Sequence, residues 1–222
     1  PTVSGKTVVY PYSGLKYAQS YDFTLPAGAI TDRSGNAYEG VTIRFTTMAR
    51  KQPAARLYDA VVAQDGTGDY TTVQAAIDAA PAGRTQPWLI FIKKGVYKGH
   101  HDIPANKPYL YLIGQDRNLV SISDNRLSGG DNAYKVNDGA TLTANSDNLY
   151  FEGINFVNSY GVEKNDGPQA LALYTLGDRV ALNKVGLLSY QDTWLTTTKL
   201  NNRHYIKDSW IEGAVDFIYG QG

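Results

Sequence analysis

Asp192, in Ser189-Tyr190-Gln191-Asp192-Thr193, and Asp216, in Val215-Asp216-Phe217-Ile218-Tyr219-Gly220, are carboxylates 24 residues apart. The hydrophobic pattern around them repeats at the same interval. If each repeat is one coil of a stacked parallel sheet, the two acids stand on neighbouring rungs, about 4.7–4.9 Å apart. Acids that close resist ionising together, so one is pushed towards its protonated form while the other stays charged. A site thereby obtains a proton donor and an anionic nucleophile from one residue type. Gln169, in Gly167-Pro168-Gln169-Ala170-Leu171, precedes Gln191 by 22 residues and Asp192 by 23. Three consecutive coils would then present Gln169, Gln191 with Asp192, and Asp216 along one ladder. Each is followed by apolar residues that could anchor the strand displaying it.

The elements that must position these groups read as short strands. From Trp88 onward no convincing helix is predicted, and three six-residue frames align: 151–156, 182–187 and 206–211, at offsets of 31 and 24 residues. Self-similarity at such periods indicates a solenoid, and strands in every repeat indicate a parallel β-helix. A β-sandwich would need turns every 8–12 residues with hairpin signals such as Asn-Gly, and that dipeptide is absent. Upstream, Val61-Val62-Ala63 runs into the Gly-rich Asp65–Tyr70 turn. Thr71-Thr72-Val73-Gln74 then offers a capping box between Thr71 and Gln74. Val73, Ala76, Ile77 and Ala80 form one apolar helical face that Pro81 ends, a helix suited to plugging the open end of the stack.

Residues 1–47 alternate in short runs separated by turns such as Asp32-Arg33-Ser34-Gly35-Asn36. This is a β-sandwich pattern over about half of the roughly 100 residues that such a sandwich requires. Residues 48–56, polar and containing Pro53, read as a linker. Residues 57–222 form the β-helical region. Thirteen of fourteen asparagines lie after residue 100, consistent with two regions of different character.

Composition narrows the function. The 222 residues carry 21 basic and 21 acidic side chains with no basic run, which argues against nucleic acid or a membrane surface as partner. No stretch approaches 18 apolar residues, so no membrane span is expected. With no cysteine, thiolate nucleophiles and cysteine–zinc sites are excluded. The chain starts at Pro1 without signal peptide or initiator Met and reads as the interior of a longer polypeptide.

Together these residues carry a resemblance. Residues 57–222 resemble the pectin methylesterases (pectinesterases), carbohydrate esterases with a right-handed parallel β-helix of the pectin-lyase type. Matching stretches occur in order: Val-x-x-Asp-Gly-Thr-Gly-Asp-Tyr-x-Thr-Val-Gln-x-Ala-Ile, Lys94-Gly95-Val96-Tyr97, Gln169-Ala170-Leu171-Ala172-Leu173, Gln191-Asp192-Thr193, and Gly213-Ala214-Val215-Asp216-Phe217-Ile218-Tyr219-Gly220. The resemblance implies hydrolysis of methyl esters on pectin, without metal or organic cofactor, by a secreted monomer. Asp216 would be the nucleophile, Asp192 the acid and then base, and Gln169 and Gln191 the oxyanion donors. Val215, Trp194 and Tyr219 would contact substrate. Residues 1–47 resemble half of a bacterial immunoglobulin-like domain, which implies an extracellular or periplasmic bacterial setting.

The sequence departs from the family in places. Gly99 stands where a Glu is usual, Trp194 replaces a Leu and Tyr219 a Phe. The family's catalytic Arg, in a Gly-Arg-Pro-Trp stretch, would lie beyond Gly222, leaving the helix truncated and this segment weakly active or inactive. Trp194 and Tyr219 read equally well as groove or core aromatics. His100 and His101 have no assigned role, and His204 reads as structural. Asp124 and Asp131 flank a Ser-Gly-Gly loop, but without the spacing of a calcium site. Two other readings compete. One is a pectate lyase or polygalacturonase on the same scaffold, although neither motif set occurs. The other is a non-catalytic β-helical carbohydrate-binding module.

Overall fold

The structure, a computed structural model, describes residues 2–4, 7–48, 57–131, 133–162 and 164–222. The chain divides into two units, Pro1–Arg56 and Leu57–Gly222. Most of the expected linker, residues 49–56, lies outside the described residues.

In the second unit, short β-branched and aromatic runs cannot bury both faces alone, so successive coils stack and share one core. Three parallel sheets result. The first contains Ala60–Val62, Trp88–Ile92, Leu110–Gly114, Leu149–Glu152, Val180–Asn183 and His204–Lys207. The second contains Gly95–Lys98, Val120–Asp124, Asn155–Asn158, Gly186–Leu188 and Trp210–Glu212. The third contains His101–Ile103, Leu142–Ala144, Leu173–Thr175, Trp194–Leu195 and Ile218–Tyr219. This is a parallel β-helix, and the three aligned frames of the sequence are its paired strands. Phe151 pairs with Leu182 and Leu182 with Ile206, while Phe156 pairs with Leu187 and Leu187 with Ile211.

Alternation sends every second residue inward, so like residues stack in columns. Ile90, Leu112, Phe151 and Leu182 form one fully buried column, and Ile122, Phe156 and Leu187 form another. The corners use left-handed backbone. Tyr109, Asn148 and Arg179 mark one corner, and Gly153, Lys184 and Asp208 another. A left-handed residue turns the chain within one step, which lets short strands meet at an angle.

Helix Val73–Ala79 buries Val73, Ala76 and Ile77 in the main core, as its apolar face predicts. Its N-cap is Thr72, whose hydroxyl accepts from Ala75 N at 3.3 Å. The expected Thr71–Gln74 capping box is therefore displaced by one residue. Gln74 instead donates to Asp78 and to the Asp102 carbonyl, tying the helix to the third sheet. Lys107, only 9% exposed, donates to the carbonyls of Ile77, Asp78 and Ala80 at 2.9, 2.6 and 2.6 Å. A helix C-terminus leaves carbonyls short of donors, and although that of Ile77 also accepts from Ala80 N at 3.2 Å, a cation there suits both the carbonyls and the helix dipole. A single helical turn at Val136–Gly139 corrects the expectation of no helix after Trp88.

The first unit contains two antiparallel pairs, Thr2–Ser4 with Thr7–Val9 and Ser20–Leu25 with Val41–Thr46. Asp32 organises the predicted turn, accepting from the backbone N–H groups of Ser34 and Asn36 and from the Asn36 amide.

Candidate active site

The candidate residues lie where the chain enters the third sheet. Gln191 bridges to Val215, and Asp192 N donates to the Val215 carbonyl at 3.0 Å. One coil earlier the pattern repeats, with Ala170 N donating to the Gln191 carbonyl at 3.1 Å. Ala170, Asp192 and Asp216 therefore share one column, and Gln169, Gln191 and Val215 occupy the adjacent one. Both aspartates adopt left-handed backbone, with φ of 63° at Asp192 and 46° at Asp216. Aspartate tolerates this conformation better than most residues, and it turns the backbone at the same position in both coils.

Polar groups behind the corner fix its backbone. The buried Ser189 hydroxyl donates to the Ala170 carbonyl and, at 3.4 Å, to the Gln191 carbonyl. One hydroxyl thus bridges the segments that carry the two glutamines. Thr193 Oγ1 donates to the Glu212 carbonyl at 2.9 Å.

The two acids differ in environment. Asp192 is 8% exposed, whereas Asp216 faces solvent. Burial pushes the Asp192 carboxyl above the usual carboxylate range, a hydrogen bond from Tyr219 works against this, and the nearby Asp216 charge adds to the rise. The Tyr219 phenol is pushed well above its ordinary range by burial and by the charge of Asp192 beside it. It remains a proton-bearing donor. The inner acid therefore holds a proton more readily than an ordinary carboxyl, and the outer carboxylate is accessible.

Gln169 and Gln191 are partly buried at the same corner. Ser128 N donates to the Gln169 carbonyl at 2.7 Å, and the Gln169 side chain lies against Gly129, where a Cβ would overlap its amide oxygen. In the sequence this Ser-Gly-Gly loop stands out only as the segment flanked by Asp124 and Asp131, which lack the spacing of a calcium site. Its role beside Gln169 emerges from a contact 40 residues away in sequence, for which no local signal exists.

The sequence model of the pectinesterase family matches residues 59–222. The chain belongs to the pectinesterase family. A Petunia integrifolia pectinesterase is 36% identical over 165 residues, covering 74% of this chain and 42% of the relative. The Arabidopsis thaliana pectinesterase/pectinesterase inhibitor 18 is 37% identical over 161 residues, covering 72% and 27% respectively. Among solved structures, the pectin methylesterase from carrot superposes with a TM-score of 0.67 at 32% identity, covering 76% of this chain and 50% of that one. A pectin methylesterase solved with a hexasaccharide gives 0.65 at 32% identity, covering 75% and 52%. The chain thus spans about half or less of the length of these relatives. The two curated relatives are plant proteins, so they lend no support to the bacterial setting expected from the N-terminal segment.

Within this pectinesterase segment, the substrate-facing expectations divide. Val215 is 40% exposed beside Asp216. Tyr219 is partly buried, with its ring against the patch formed by Ala140, Leu171, Tyr174 and Leu195 on the outer face of the third sheet. Trp194 departs from its expected groove position. It pairs with Leu173 in the inward column Leu142–Leu173–Trp194, is 4% exposed, and donates its indole N–H to Thr175 Oγ1 at 3.1 Å. It is a core residue, because the alternation that sends Leu195 outward sends Trp194 inward. His101 is also buried, in register with Leu142, and burial lowers its pKa. Among the described residues no group of three or more His, Cys, Asp or Glu is placed to hold a metal ion.

Proposed function

We propose that the protein hydrolyses methyl esters of pectin to pectate and methanol, using Asp216 as nucleophile and Asp192 as acid and base. The observation that carries this reading is the in-register pair of unequal burial, one carboxyl inner and raised in pKa, the other exposed. An Asp216 oxygen adds to the ester carbonyl carbon, and the carbonyl π electrons move to its oxygen. The Gln169 and Gln191 amides donate to that oxyanion, and neutral donors leave the acid pair uncompensated. Collapse breaks the bond to methoxide, which departs as methanol with the proton of Asp192. The resulting anhydride is cleaved by water, whose proton passes to the Asp192 carboxylate, restoring both residues.

Pectin as substrate is supported by the family membership and by the related methylesterase solved with a hexasaccharide. A wall polymer as substrate supports action outside the cell. The immunoglobulin-like reading of residues 1–47 rests on their antiparallel pairing and the Asp32 turn.

The test is methanol release from highly methylated pectin with the polymer's chain length followed in parallel. Methanol without shortening, abolished by Asp216→Asn, is the expected result. Shortening without methanol would instead indicate a lyase or glycosidase. Binding to pectin that Asp216→Asn leaves intact, with no methanol from either protein, would indicate a binding module.

A further inference from the structure

We propose that Asn158 is a positioning residue for Gln169, its buried carboxamide clamping the two segments that meet at that glutamine. This rests on the reading of Gln169 as an oxyanion donor, and the test below separates the two.

Asn158 ends the strand Asn155–Asn158 of the second sheet, and alternation sends it inward with Phe156. It is fully buried, so each of its polar atoms needs a partner. Its Nδ2 donates to the Arg126 carbonyl at 2.7 Å and to the Leu171 carbonyl at 3.0 Å, while its Oδ1 accepts from Tyr160 N at 3.1 Å. Leu171 stands two residues after Gln169, and Arg126 two before Ser128, whose N–H donates to the Gln169 carbonyl at 2.7 Å. These bonds and the chain between them close a ring that runs from Asn158 through Leu171 to Gln169, across to Ser128, and back through Arg126. Gly129, which abuts the Gln169 amide, is the next residue outside the ring. The third bond holds the start of loop 159–168, which Asp166 N pinches by donating to the Gly161 carbonyl at 3.2 Å, and which delivers the chain to Gln169.

The chemistry of the ring calls for an amide. Two carbonyls and one N–H face the side chain, and asparagine answers them with two N–H donors and one acceptor. Aspartate would set acceptors against both carbonyls. An aliphatic residue would leave the Leu171 carbonyl its backbone donor, Thr141 N at 2.9 Å, but the Arg126 carbonyl with none among the described residues. The segment released is therefore 126–129, the one against which the Gln169 side chain lies. Buried as it is, Asn158 touches no reacting atom. It fixes where the donor waits, and a displacement on the ångström scale costs about 10²-fold in rate.

The experiment is NMR of the full chain in wild type and Asn158→Ala, following the side-chain amides of Gln169, Gln191 and Asn158 and the exchange of backbone N–H groups. In Asn158→Ala the Gln169 amide signals are expected to move and those of Gln191 to stay. Ser128 N–H should exchange about tenfold faster, the size of one lost hydrogen bond, with Asn148 N–H at another corner unchanged. Unmoved Gln169 signals, or equal movement of Gln169 and Gln191, overturn the proposal. If Asn158→Ala does not fold, wild type decides: the Asn158 Nδ2 hydrogens and Ser128 N–H should exchange with the same protection, opening as one ring. A Ser128 N–H that exchanges freely while Asn158 stays protected overturns it. Where methanol release is measured, kcat of Asn158→Ala falls about 10²-fold at unchanged KM. Adding Asn158→Ala to Gln169→Leu then costs nothing further. An equal loss in the Gln169→Leu background overturns the proposal, since a residue that merely supports the fold lowers activity whichever side chain stands at 169. Absence of methanol release from wild type would count against the esterase reading alone, because the amide signals still decide the role of Asn158.

Discussion

Gln169 lies against the bare α-carbon of Gly129, close enough that a methyl group there would overlap its amide oxygen. Gly129→Ala is therefore expected to push the Gln169 amide out of line with little effect on folding. A displacement on the ångström scale costs about 10²-fold in rate. The prediction is a kcat lower by that order with Tm unchanged, read from methanol release and thermal unfolding. Full activity in Gly129→Ala would show that the contact does not position the amide.

Gln191→Leu keeps the side chain's bulk and removes its donor. Loss of one oxyanion donor typically lowers kcat by about 10²–10³-fold. Because that bond strengthens only as the oxyanion forms, KM should stay near its wild-type value. A variant that raises KM and spares kcat would assign Gln191 to ground-state binding.

Asp192→Asn should trade activity for stability. The folded Asp192 carboxyl has a raised pKa, so the native state binds more protons than the unfolded chain in the window between the two values. Stability from this group therefore falls as pH rises through that window. Asparagine removes the ionisable group from a side chain that is 8% exposed. Above the window Asp192→Asn should melt at a higher temperature than wild type. Below the pKa of the unfolded carboxyl the two proteins should melt together. Methanol release should drop about 10²–10⁴-fold, the usual worth of a general acid–base group. A uniform Tm difference at all pH values would contradict the assignment.

Lys107→Met should destabilise the end of the helical stack. It preserves the aliphatic stem but removes the ammonium donor to the carbonyls of Ile77, Asp78 and Ala80, of which only that of Ile77 keeps a backbone donor among the described residues, Ala80 N. A hydrogen bond to a charged group contributes about 1.5–3 kcal/mol, so a Tm loss of several degrees is expected. The effect should survive high salt, since the ammonium is buried. A wild-type Tm in Lys107→Met would remove the lysine from any account of how the cap is held.

Much of this was legible in the sequence because a solenoid repeats its register. The three aligned frames are paired strands, and the interval between Asp192 and Asp216 is one coil. What escaped reading has identifiable causes. Trp194 and Leu195 are both apolar, so the pattern cannot say which faces inward, and the left-handed step at Asp192 resets the alternation just before them. Adjacent threonines made the helix boundary ambiguous, and Thr72 rather than Thr71 proved to be the cap. Gly129 and Ser189 act through contacts between coils, which no window along the chain contains.

The intervals along the third sheet are unequal. Leu142 pairs with Leu173 across 31 residues, Leu173 with Trp194 across 21, and Trp194 with Ile218 across 24. The strands keep step regardless, because the differences in length fall in the segments between paired strands. Such a scaffold separates two kinds of inheritance: turns are free to lengthen, shorten or change their chemistry, while the corner bearing the acids stays where its neighbours pin it. Preference for one polymer pattern over another could therefore be rewritten in the turns alone, leaving the reacting groups untouched.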